Sequence, residues 1–399
     1  MAHFHLAWEL GGGLGHAGRL KMIAQALLAR GHQVSLGLRD LGQTYNVLAD
    51  LDVAKFQAPV WLHRTEGMPP NQASLAEVLL TCGYLEPRGL AGMVDGWRSL
   101  FTQLKPDLLV ADYAPTAILA ARTMGMRSAS IGIAFSSPPP RQPLPCLRDW
   151  EGIPPQRLAS AEARVLKVAN GVLSHHRAAP FAWAADLLLG DAQLLNSWPE
   201  LDQYGRPPSS VAWHGPLFLP STGVKPQWPV GEGPLVFAYL RTVDPNHAAV
   251  LAALAREPCR VLCYLPEVAA GRAPPVMSPN IAYASGPVAM GDALAAAQLF
   301  VTHAGDSTAQ ALLAGVPVMM LPMQLEQFLT ARRIAAAGMG VNTAALPPPS
   351  DWGKAVRHML STPDYAAAAQ AFAARHAGYT AAKGAADMAL TLEDLARVH

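Results

Sequence analysis

The chain lacks the marks of a metal-clustered, nucleic-acid-binding or membrane-spanning protein. Its four cysteines, Cys82, Cys146, Cys259 and Cys263, form no C-x-x-C pair and have no histidine at zinc spacing. That excludes a thiolate metal site and a disulfide scaffold, and leaves reduced, buried thiols. Charge is sparse: Asp, Glu, Lys and Arg make up 15% of the residues and net +1. With no global field to attract a polyanion, a nucleic-acid partner is excluded. No apolar run approaches the roughly 18 residues of a transmembrane helix, although peripheral contact with a membrane stays open. The opening "MAHFHLAW" has neither the basic region nor the apolar core of a signal peptide and reads as a first strand, so a bacterial cytoplasmic location is expected.

What is present is apolar, rich in glycine and proline, and long enough for more than one core. The chain has 399 residues, 51% of them hydrophobic, which points to two domains. "FHLAWEL", a helical repeat of Leu20, Ile23, Leu27 and Leu28 closed by Gly31, and "QVSLGL" make one βαβ unit. Further strands are expected at "DLLVADY", "SASIGIA", "GVLSH" (171–175) and "AQLLN". The stretch from about 217 to 234 is rich in proline and glycine and reads as a linker. After it the alternation resumes with "PLVFAYL", "CRVLCYL", "NIAYAS", "QLFVTHAG" and "VPVMMLP". This is α/β architecture with two doubly wound parallel sheets, whose ligands belong at the carboxyl ends of the strands in a cleft between the halves. Two proline-rich insertions, near 59–70 and 138–155, are expected to be lids or mobile segments.

Two loops carry chemistry. In the first, Gly13-Leu14-Gly15-His16-Ala17-Gly18 satisfies the dinucleotide fingerprint G-x-G-x-x-G but sets a histidine at the mouth of the turn. An oxidoreductase binding NAD(P) through Gly13, Gly15 and Gly18, with Asp40 as the ribose acid, is therefore one reading. In the second, the strand "FVT" runs into His303-Ala304-Gly305-Asp306-Ser307-Thr308 and a helix expected to start near Thr308. A turn of small residues ending at a helix N-terminus offers free N–H groups to a diphosphate. Ser307 and Thr308 add hydroxyls there, and His303 a ring N–H.

With these loops the chain resembles the UDP-glycosyltransferase superfamily of GT-B fold, especially the bacterial enzymes acting on macrolides, other natural products and lipids. "GLGHAGRLKMIAQALLARGHQVS", "KPDLLVADYAPTAILAA" (105–121), "WHGPLFLP" (213–220) and the block 286–340 match in the family's order. The resemblance implies two Rossmann-like domains: 1–220 for the acceptor, then a linker 221–231, and 232–376 for the nucleotide sugar. A final helix within 377–399 returns to the first domain. It implies His16 as general base with Asp112 orienting it. It also implies a donor site of Gly15, Arg241, Thr242, Val288, His303, Gly305, Ser307, Thr308, Gln310, Glu326 and Gln327.

No metal and no cofactor are implied beyond the nucleoside-diphosphate sugar, UDP- or TDP-linked, and the acceptor is a hydrophobic small molecule or a lipid. The chain departs from the family pattern H-G-G-x-G-S/T followed by glutamate: its loop is one residue shorter and Gln310 holds the glutamate position. Near Val288 the stacking tryptophan of plant members is missing. The altered loop keeps a further reading open, a sugar-nucleotide-binding epimerase or inactive partner subunit. Asp50-Leu51-Asp52 spells a D-x-D but has no second acidic cluster, so it is discounted as a metal site. His175 and His176 are expected in the core or on the surface, and Asp40 at a solvated strand end. Trp61, His63, Tyr84, Trp97 and Phe135 are candidates for an acceptor wall or for core packing.

Overall fold

The computed structural model describes residues 1–220, 222–347 and 350–397. Ser221 of the expected linker and Val398 and His399 of the expected final helix lie outside the described residues. The chain divides into two compact units, Met1–Leu219 with Thr380–His399, and Pro220–Tyr379.

The first unit holds a parallel sheet of seven strands: β1 (His3–Trp8), β2 (Gln33–Leu38), β3 (Ala54–Gln57), β4 (Leu108–Asp112), β5 (Ser128–Gly132), β6 (Ala192–Leu195) and β7 (Ala212–Trp213), in the order β3-β2-β1-β4-β5-β6-β7. The second holds six: β8 (Leu235–Tyr239), β9 (Arg260–Tyr264), β10 (Ile281–Tyr283), β11 (Leu299–Thr302), β12 (Val318–Met320) and β13 (Gly340–Asn342), in the order β10-β9-β8-β11-β12-β13. Counted from its own first strand, the second sheet runs 3-2-1-4-5-6, and the first runs the same way with a seventh strand added beyond the sixth. In such a sheet the chain leaves the first and fourth strands in opposite directions, which opens a crevice at their carboxyl ends. That crevice lies beyond β1 and β4 in one unit and beyond β8 and β11 in the other.

The first helix, Gly15–Ala29, forms because Leu20, Ile23, Ala24 and Leu27 recur at helical spacing and are fully buried. It stops where Gly31 takes a φ of +80° and His32 N–H turns back to the Leu27 carbonyl at 3.2 Å. The last helix, Ala381–Arg397, lays Ala385, Met388, Ala389 and Leu392 into the same core as Leu20, Ile23 and Leu27. Arg30 and Glu393 pair beside that seam. Leu392 is wholly buried, so Leu392→Ala is expected to lower the unfolding free energy by about 2–5 kcal/mol, read as a shifted urea midpoint. An unchanged midpoint would mean that this helix adds nothing to the first unit.

Two expectations need correcting, the strand at 171–175 and the lid at 138–155. "GVLSH" is not a strand but the end of a helix, Pro155–His175. Leu158, Ala161, Val165, Ala169 and Val172 are buried along it at intervals of three and four, a period the five-residue run is too short to reveal. The 138–155 insertion is pinned rather than lid-like: Leu144 and Leu147 are buried, and their N–H groups donate to Glu162 Oε2 at 2.6 Å and the Ala73 carbonyl at 2.8 Å. Asp40 caps a helix, Leu41–Leu48, by accepting from Gln43 N–H at 2.8 Å. In the expected linker, Val224 exchanges backbone hydrogen bonds with Pro287 and Ala289 at 2.8 and 2.9 Å. No described helix is long and apolar enough to cross a membrane.

Candidate active site

In the first unit the switch-point crevice is built around His16. Strand β1 ends at Trp8, whose Cα partner across the ladder is Asp112, the last residue of β4. After Trp8 the chain turns through Gly11 and Gly13, with φ values of +79° and +88°, and enters the first helix at Gly15. This brings His16, in the first helical turn, back over the strand ends. Its ring stacks on Trp8 with centroids 5.0 Å apart and planes 13° from parallel. Its Nδ1 lies 3.1 Å from Asp112 Oδ2. A carboxylate there draws the ring proton to Nδ1 and leaves the Nε2 lone pair free, the tautomer a general base needs. Nε2 faces Gly11 so closely that a Cβ on that glycine would sit 2.7 Å from it.

Asp112 is fully buried, and a lone buried carboxylate would be driven to protonate. Burial does push its pKa up, but Arg19 and His16 outweigh that and hold it below the usual carboxylate range. Arg19 Nε donates to the same Oδ2 at 2.9 Å. Arg19 belongs to no motif that marks the site, although its place three residues after His16 puts both on one helix face.

Glu9, also unanticipated, lies just beyond Trp8 and is 2% exposed. Its carboxyl accepts from the Thr116 and Ala117 N–H groups at 2.9 and 2.5 Å, the start of the helix Pro115–Thr123. Burial nevertheless raises its pKa from 4.5 to about 7. The folded state thus binds this proton more tightly than the unfolded chain does. The stabilisation is complete below pH 4.5 and is lost as the pH rises through 7. The loss is about 3 kcal/mol by alkaline pH. Urea unfolding followed against pH should show this decline in the wild type, and Glu9→Gln should remove it.

In the second unit the crevice gathers Arg241 and Thr242 beyond β8 and residues 303–308 beyond β11. Ala304 adopts a left-handed φ of +61°, a conformation that costs a non-glycine residue about 1–2 kcal/mol. It holds the turn that feeds the helix Ser307–Leu313. Around Gly305 the space is open, since a Cβ there would meet nothing within 4 Å. Thr308 is buried at the helix start, with no partner for its hydroxyl among the described residues. Ser307 Oγ lies 3.4 Å from Thr302 Oγ1.

His303 acts differently from the expectation. Its Nδ1–H donates to the Leu321 carbonyl at 2.8 Å, and its Nε2 accepts Arg241 N–H at 2.9 Å. Both nitrogens are spent, so the ring offers no N–H to an anion but ties the loops after β8, β11 and β12 together. Burial keeps its pKa low, consistent with a neutral ring.

Arg241 pairs with Glu267 at 2.8 Å, and Arg272 donates to the Thr242 hydroxyl at 2.7 Å. Neither Glu267 nor Arg272 carried a sequence signal. Glu326 and Gln327 open the helix Leu325–Ala336, where Gln327 Oε1 accepts Met323 N–H at 2.8 Å. Gln310 lies half-buried along its helix, and Val288 is buried against Val224.

The remaining candidates separate by burial. Trp97 and Tyr84 are wholly buried and belong to the core, not to a substrate wall. Trp61 covers Gly83 and Gly89. Tyr113, strained at φ +49°, stands edge-on to Phe135 and reaches Gly11. Asp50 pairs with Lys21 at 2.5 Å, and His176 lies 3.7 Å from Asp95. Among the described residues no three His, Cys, Asp or Glu side chains gather as a metal site would require.

The two-sheet fold has known counterparts. The chain is similar over its whole length to solved structures, among them the calicheamicin glycosyltransferase CalG4 (TM-score 0.71, 18% identity, covering 100% of this chain and 99% of that one). The spinosyn rhamnosyltransferase SpnG complexed with thymidine diphosphate is another (TM-score 0.66, 18% identity, covering 98% of this chain and 99% of that one). The fold is GT-B. Within it, residues 246–377 match the family model of UDP-glucoronosyl and UDP-glucosyl transferases, the part of the GT-B chain that contains the 303–308 loop. The PGL/p-HBAD biosynthesis rhamnosyltransferase of Mycobacterium bovis is 30% identical over 275 residues, 64% of this chain. That match spans 60% of the relative's length. These likenesses agree with the superfamily resemblance carried by the sequence motifs.

Proposed function

We propose that the chain is an inverting, metal-independent glycosyltransferase that moves a sugar from a TDP- or UDP-linked donor to a hydroxyl of a hydrophobic small molecule or a lipid. The observation that carries this reading is the His16–Asp112 contact of 3.1 Å, with Nε2 left free. His16 Nε2 takes the acceptor's hydroxyl proton as that oxygen bonds to the anomeric carbon, and Asp112 stabilises the imidazolium that forms. The bond from the anomeric carbon to the diphosphate breaks on the opposite face, and its electron pair leaves with the nucleoside diphosphate. N–H groups at the start of the helix Ser307–Leu313, with the Ser307 and Thr308 hydroxyls, receive that charge. In this reading protein groups supply both the base and the stabilisation of the leaving nucleoside diphosphate.

That the similar proteins include a rhamnosyltransferase and a complex with thymidine diphosphate favours a TDP-linked deoxysugar. The test is transfer from TDP- and UDP-sugars to a panel of phenols, alcohols and macrolide-type acceptors, with NMR of the product's anomeric carbon. Product of inverted configuration is expected; retained configuration would exclude this chemistry. A second reading, donor binding without transfer, is favoured by the spent nitrogens of His303 and the neutral Gln310. Binding of a nucleotide sugar with no product from any acceptor would select it.

A further inference from the structure

Arg19 does more than fill space under the first loop. Its guanidinium touches both members of the pair: Nε donates to Asp112 Oδ2 at 2.9 Å, and Nη2 stands 3.4 Å from His16 Nδ1. The two contacts pull the imidazole in opposite directions. Asp112 favours a proton on Nδ1, whereas a guanidinium N–H aimed at Nδ1 favours a lone pair there. The carboxylate contact is the shorter, at 3.1 Å, and a carboxylate can only accept, so it decides the tautomer. Asp112 Oδ1 has no partner among the described residues, so both contacts fall on one oxygen.

We propose that Arg19 is a positioning residue that keeps the His16–Asp112 pair from taking up a second proton at neutral pH, and so sets the lower pH limit of the reaction. The proposal rests on the transferase reading above. Its ground is charge counting in a buried site. With Arg19 present, the group of three is neutral when the imidazole is neutral, and becomes +1 on protonation. Without Arg19, the pair alone is −1 and becomes neutral on protonation. Burial favours the neutral state in each case, so removing Arg19 makes protonation easier.

The other groups facing the pair do not replace this charge. Among the described residues they include the Trp8 indole from β1, the Tyr113 ring near Gly11, and Ser136 and Ser137 beside Gly132 next to Asp112 Oδ1. Glu9 is held by Thr116 and Ala117, and Arg39, beyond β2, donates to its main-chain carbonyl.

The experiment is the pH profile of kcat/KM for wild type, Arg19→Met, Arg19→Gln and Arg19→Lys. In the Met and Gln variants the acid limb should move up by about 1–3 pH units while the alkaline plateau is kept, and in Lys it should return towards wild type. At a pH on the limb this is a loss of about tenfold or more. A loss equal at every pH, or an unmoved limb, would show that Arg19 only supports the fold. The same protonation is read without turnover by NMR of 15N-labelled imidazoles, with His16→Gln identifying the signal. An NMR shift in Arg19→Gln, with no transfer by any variant, would uphold the role of Arg19 and sink the transferase reading instead. An unmoved signal would overturn the role whatever the activity.

Discussion

His16→Ala is expected to lower transfer by about 100- to 10,000-fold while leaving donor affinity nearly unchanged. The loss follows from removing the one group whose Nε2 is held free by Asp112 and by stacking on Trp8. The retained affinity follows from the construction of the second unit, where residues 303–308 and 241–242 are assembled by bonds among themselves and to Leu321 and Glu267. Kinetics with a TDP-sugar and calorimetry with TDP measure the two halves separately. A variant that turns over near the wild-type rate would remove His16 as the base. One that loses TDP binding would place the diphosphate at the first loop instead.

Gly11→Ala is expected to be nearly as damaging, for a steric reason. The new methyl would stand 2.7 Å from His16 Nε2, covering the atom that takes the proton or pushing the ring off Asp112. It would also impose a φ of +79° on an alanine, a cost of about 1–2 kcal/mol that most folds survive. Gly13 separates the two effects. It has a φ of +88° but open space around its Cβ position, so Gly13→Ala carries the same strain without the blockage. Measured side by side, Gly11→Ala should lose transfer by about 100-fold or more, and Gly13→Ala should keep most of it. Equal losses would mean that loop conformation, not access to Nε2, is what matters.

Much of this site was legible in the sequence because it sits where strand gives way to helix, and glycines and small residues mark such junctions. Both chemical loops, and the match of Asp112 to the end of a strand, could be read from motif order alone. The contacts that refine the chemistry could not. Asp112 and Arg19 are 93 positions apart, and only the β1–β4 register brings them together. The spent nitrogens of His303 depend on the paths of two neighbouring loops, which no local pattern specifies. Trp97 and Tyr84 resembled a substrate wall because aromatics near a site look the same whether they face a ligand or a core. "GVLSH" misleads for a related reason: a five-residue stretch around Val172 and Leu173 fits a strand until the preceding sixteen residues show a helical period.

The transferase mechanism depends on which loop holds the diphosphate. The measurement that tests this most directly is the thermal midpoint of wild type and His16→Ala with saturating TDP, UDP, GDP and NADPH. A ligand at about 100 times its dissociation constant adds roughly 2.7 kcal/mol, a shift well within detection. A rise with TDP or UDP that is the same in both proteins is expected. A rise with NADPH alone, or one that disappears with His16, would contradict it and return the glycine loop to a pyrophosphate.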